Sequence, residues 1–161
     1  MYDIFLLLFC ALLVFAAISD VRTFEIPNFV SLLGGGIFLP AAFLAQLDII
    51  SFSYHLLAAV LVLGVGFGLF AANLLGGGDV KVLSAAALWC GLSDLLPLLF
   101  WVAMAGGILA IILFLFRRAH LARWAAASPS LVNLHSQTGV PYAVAICVGA
   151  LWVFADNHWG W

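Results

Sequence analysis

Two short stretches carry the residues whose types could do chemistry: SDVRTFEIPN at 19–28 and LLGGGDVKVL at 74–83. Each sets an aspartate, Asp20 or Asp79, beside apolar sequence, where a charge is expensive to bury. Two carboxylates within a few ångströms of each other share one proton, because both cannot ionise comfortably. The anionic member can then take a proton from water while the protonated member donates to a peptide carbonyl. That chemistry needs no metal and no nucleophilic side chain. Alone, each acid reads as a helix-terminal carboxylate, Asp79 favoured by a helix N-terminus and Asp20 facing water. Together on one side of a membrane they read as a site.

The elements that must position them are set by composition. The chain has 161 residues, 67% hydrophobic and 7% charged, with mean hydropathy +1.27. A soluble domain carries roughly a quarter charged residues, so the solvent here is lipid. A net charge of −2 argues against nucleic acid as a partner. Cys10, Cys90 and Cys147 are isolated in apolar runs and suggest packed thiols, with neither a zinc site nor a disulfide framework. The N-terminus has an apolar run without a basic start, so the first span is expected to be retained.

A bilayer core of about 30 Å needs on the order of 20 apolar residues per helix. Cutting at polar punctuation predicts an all-α, multi-pass bundle of six spans near 4–19, 28–46, 55–75, 80–93, 97–116 and 139–155. All five basic residues, Arg22, Lys81, Arg117, Arg118 and Arg123, then fall in alternate loops, while Asp3, Asp48, Asp94 and Asp156 fall opposite. The positive-inside rule places Asp20 and Asp79 at the cytoplasmic face and both termini on the other side. Trp89, Trp101, Trp152, Trp159 and Trp161 near span ends suggest interfacial belts. Residues 117–138 begin with a basic amphipathic stretch, expected to lie on the anionic inner leaflet.

Around the acids, Gly76, Gly77 and Gly78 offer a side-chain-free run for a tight bend and for close approach of an extended substrate. Pro27 suits the first turn of span two and Asn28 its cap or the preceding loop. Arg22 and Lys81 are topology anchors, each two residues after an acid whose ionised form it could favour. Glu25 reads as a solvated loop charge. His55 and His158 fall on the far side, and His120 and His135 in the long loop, so none is read as catalytic. Gly64 and Gly68 form a GxxxG pattern, a weak packing signal.

SDVRTFEIPN resembles the D-x-R-x-x-x-I-P-N segment of type IV prepilin peptidases, and GGGDVKVLSAAALWCG their GxGDxK segment. GVPYAVAICVGAL near the last span is similar to their third signature. The resemblance implies a GxGD-type intramembrane aspartic protease with Asp20 and Asp79 catalytic and no cofactor. It further implies a bacterial inner-membrane protein that cleaves prepilin or pseudopilin leaders after a glycine at the cytoplasmic face, beside the pilus assembly machinery. The glycine run and the segment Val140, Pro141 and Tyr142 would help to shape the substrate groove. Residues 1–161 resemble the short, peptidase-only branch serving tight-adherence (Flp) pili, a single domain with no separate methylase domain.

Two other classes compete. A small transporter or proton channel could use the acids as a relay, although both lie on one side and none near a span centre. A non-catalytic scaffold of a pilus assembly would leave pilin maturation indifferent to the acids.

Overall fold

The computed structural model describes residues 3–118 and 140–156. Their order is α1 (Asp3–Thr23), α2 (Asn28–Gly36), α3 (Phe38–Leu44), α4 (Ile49–Ala71), α5 (Gly77–Cys90), α6 (Leu95–Arg118) and α7 (Tyr142–Asp156), with no strand among the described residues. A chain this apolar satisfies its backbone internally, and helices do so within one segment. All six expected apolar runs are helical. Among the described residues, three helices, α1, α4 and α6, are long and apolar enough to cross a membrane, and the remaining apolar helices are shorter. The second run divides at Ile37 into α2 and α3, whose backbones nearly continue through an Ile37 N–H bond to the Leu33 carbonyl at 2.9 Å.

The third run starts earlier than expected. Asp48 caps α4, its carboxylate accepting from the N–H groups of Ile50 and Ser51, so the helix begins at Ile49 rather than near 55. Hydrogen bonds from Ser51 hold the Asp48 carboxyl below the ordinary carboxylate range.

The short helix α5 is the centre of the bundle. Eight of its fourteen residues are buried, and it packs against α4, α7, α2 and α6. Small side chains (Ala85, Ala86, Ala87) let its neighbours come close. The outer helices turn large apolar groups outward, Leu32 and Leu96 both 77% exposed, as a lipid-facing surface requires.

Close packing comes at glycines the pattern did not single out. Gly64 and Gly68 face open space; Gly66 between them meets Val80 of α5, where a Cβ would stand 2.7 Å away. Trp89 is not a belt residue. It is 2% exposed, stacks on Phe9 at 4.9 Å between centroids, and donates its indole N–H to the Gly34 carbonyl at 2.8 Å. Trp101 is half-buried and Trp152 exposed, their rings 4.7 Å apart. Cys90 and Cys147 are buried and Cys10 half-buried. Apart from Arg117 and Arg118, which end α6, the stretch 117–138 lies outside the described residues, as do Trp159 and Trp161.

Candidate active site

Asp20 continues the inward stripe of α1. Leu6, Phe9, Leu13, Ala16 and Asp20 recur every three or four residues and are all buried, Asp20 being 5% exposed. The acid therefore sits within the last turns of the helix instead of facing water. Its Oδ2 accepts a 2.9 Å hydrogen bond from the N–H of Ala143, the second residue of α7. The first N–H groups of a helix have no partner inside it, and a carboxylate there is also favoured by the helix dipole. Asp20 thus caps another helix.

The chain after Asp20 is tied down by its own polar groups. Phe24 adopts a left-handed conformation (φ 54°) that ends α1, its N–H bonded to the Asp20 carbonyl at 2.9 Å. Such a conformation is uncommon for a bulky residue and needs support. Ser19 Oγ donates to the Glu25 carbonyl at 2.9 Å, and Thr23 Oγ1 accepts from the Glu25 N–H at 3.3 Å. This hook delivers Ile26 and Pro27 to the start of α2.

Asp79 is the third residue of α5, half-buried, its carboxyl folded back over Gly76. It lies within electrostatic reach of Asp20. Its Oδ1 is buried with no hydrogen-bond partner among the described residues. Buried carboxylate oxygens are normally satisfied, so an orphan on an acid within electrostatic reach of a second acid invites a functional explanation.

The glycine run serves packing. The chain reverses at Asn73 (φ 56°), with the Leu74 N–H closing on the Leu69 carbonyl at 2.9 Å, while Gly76 caps α5 and Gly77 and Gly78 lie within its first turn. The expected bend at the glycines is therefore made at Asn73, which tolerates the left-handed region. A Cβ on Gly76 would come 2.7 Å from Asp79 Oδ2, and one on Gly78 would come 3.1 Å from Ile26. The close approach at these glycines is made by the chain's own Asp79 and Ile26.

The remaining residues divide. Pro27 stands at the cap position of α2, one residue before its first turn, and Asn28 caps nothing: its Oδ1 accepts from Lys81 Nζ at 2.8 Å. Lys81 thereby joins the Asp20 loop to the Asp79 helix. Arg22 is exposed at the end of α1, along a shallow groove shared with Val21 and Val144. Pro141 is fully buried and Tyr142 opens α7 with its ring against Gly106 of α6; between them they set the helix end that meets Asp20. The Ala143 amide was missed, although a proline followed by an apolar helix announces a free N–H nearby.

At the opposite end of α1 and α5, a cavity of about 260 Å³ is lined by His55, Tyr54, Trp89 and Asp94 among others. His55 Nδ1–H donates to the Leu88 carbonyl at 2.8 Å and the ring fills the space beside Gly91. That agrees with its placement away from the acids. His120, His135 and His158 lie outside the described residues. Among the described residues, no three His, Cys, Asp or Glu side chains gather as a metal site would require.

The family model for the type IV leader peptidase family matches residues 7–111, a segment that holds both acids and ends before α7. No match was found among curated proteins or among solved structures.

Proposed function

Since the chain belongs to the type IV leader peptidase family, we propose that it is an intramembrane aspartic endopeptidase whose Asp20 and Asp79 act as one dyad. The observation that carries this reading is a buried, capped acid within electrostatic reach of an acid whose Oδ1 has no partner among the described residues. Asp20, steadied by the Ala143 amide, takes a proton from the attacking water. Asp79 holds the shared proton and gives it to the carbonyl oxygen of the scissile peptide. When the tetrahedral intermediate collapses and the C–N bond breaks, the proton gained by Asp20 passes to the leaving amine and a hydroxyl proton of the intermediate returns to Asp79, restoring the singly protonated pair.

The substrate in this reading is a prepilin or pseudopilin, cut after a glycine where its basic leader meets its apolar stem. The basic residues Arg22 and Lys81 lie at the same end of the bundle as the acids, which supports a cytoplasmic active site in the bacterial inner membrane and termini on the other side. In this reading the chain acts as a peptidase domain of the Flp-pilus type.

Reconstituted protein with a coexpressed prepilin tests it by mass spectrometry of the product. Wild type yields the trimmed pilin, and Asp20→Asn and Asp79→Asn yield none while remaining inserted. Robust trimming by either variant would refute the dyad.

A further inference from the structure

Behind the acids, on the lipid side of α5, runs a groove of about 540 Å³ between α2 and α4. Each of the three helices lends it four residues at i, i+3, i+4, i+7 spacing, beginning at Asn28, Leu56 and Lys81. That spacing is one helical face, and seven residues rise about 10 Å. Gly35, Ala59 and Ala85 keep the trough open. Neither Asp20 nor Asp79 lines it, and neither does any other carboxylate. It is therefore distinct from the peptide site.

The groove is polar at one end and apolar at the other. Asn28, Ser31, Lys81 and Ser84 lie toward the end nearer the acids, and Gly35, Leu56 and Leu88 lie deeper. At the mouth, Lys81 spends one of three ammonium donors on Asn28 Oδ1. Two donors remain on Lys81 and two on the Asn28 amide nitrogen, both side chains being exposed. The two serine hydroxyls already donate, to the Asn28 and Val80 carbonyls. The mouth thus presents a cation and spare donors, which suits an anion rich in acceptor oxygens.

We propose that this groove seats an anionic phospholipid, its phosphate at Lys81 and Asn28 and one acyl chain along the apolar trough. Charge complementarity selects the headgroup, and basic pockets between spans on the cytoplasmic side suit such lipids. The length selects the chain: a partner helix crossing the bilayer would need about 30 Å of seam, against the two turns available. The assignment stands apart from the peptidase reading.

Native mass spectrometry of the full chain in neutral detergent tests it, with dioleoylphosphatidylglycerol and dioleoylphosphatidylcholine as probes. Wild type should retain one phosphatidylglycerol in preference to phosphatidylcholine. Lys81→Gln should lower that preference about fivefold. Gly35→Leu should abolish retention without harming the fold, because a Cβ there meets nothing within 4 Å and leucine is the better helix former. A photocrosslinker at Leu32, which is 77% exposed, should capture lipid. Equal retention of both lipids by wild type, unchanged retention in both variants, or capture of a second copy or a pilin stem at Leu32 would each overturn the proposal.

Discussion

Asp20 and Ala143 stand 123 residues apart in the chain and 2.9 Å apart at the site, carboxylate oxygen to backbone nitrogen. The bond does two things. It closes the first and last described helices of the bundle onto each other, and it gives a buried acid a donor.

Removing that acceptor separates structure from chemistry. Asp20→Asn keeps an oxygen for the Ala143 N–H, whereas Asp20→Ala leaves the amide buried and unpaired at a cost of about 1–3 kcal/mol. Asp79→Ala removes an oxygen that has no partner among the described residues, so its penalty should be smaller. Unfolding in detergent should therefore rank Asp20→Ala as the least stable of the three, with all three inactive in cleavage.

The contact between Gly78 and Ile26 sets how the Asp20 loop lies on α5. Gly78→Ala should push that loop by a few tenths of an ångström and reduce cleavage about tenfold or more, as small misplacements of catalytic groups do. Ile26→Ala makes room and should restore much of the activity in the double variant. A double-mutant cycle on cleavage rate measures the coupling.

A dyad that works with one proton imposes a bell on the pH profile. Cleavage should rise as the first carboxyl ionises and fall as the second does, with both limbs belonging to the pair. Rates of prepilin trimming in vesicles buffered on both sides check this. A profile flat through the acid and neutral range would contradict a shared proton.

Far from the acids, Gly91 should be a stability residue. Its φ of +72° is strained for any side chain, and a Cβ would meet the His55 ring at 3.0 Å. Gly91→Ala should cost more than about 1 kcal/mol in thermal or denaturant unfolding, with little change in the cleavage rate of the folded fraction.

The sequence by itself determined that this is a lipid-embedded helical protein, where its apolar runs lie, and which two acids are out of place in them. Those features are local: hydropathy is summed over a window, and a charge beside an apolar run is costly wherever the run packs. Which face of each helix turns inward was not local. Helices apolar on every side carry no stripe to mark their buried face, so Trp89 could not be told from a rim tryptophan, nor Gly66 from its neighbours Gly64 and Gly68. The partners of polar groups were hidden for the same reason. Asn28 reaches Lys81, and Asp20 reaches the Ala143 amide, only because α1, α2, α5 and α7 rotate and cross as they do. A backbone N–H has no signature in a side-chain alphabet; only tertiary packing decided that it would meet an acid.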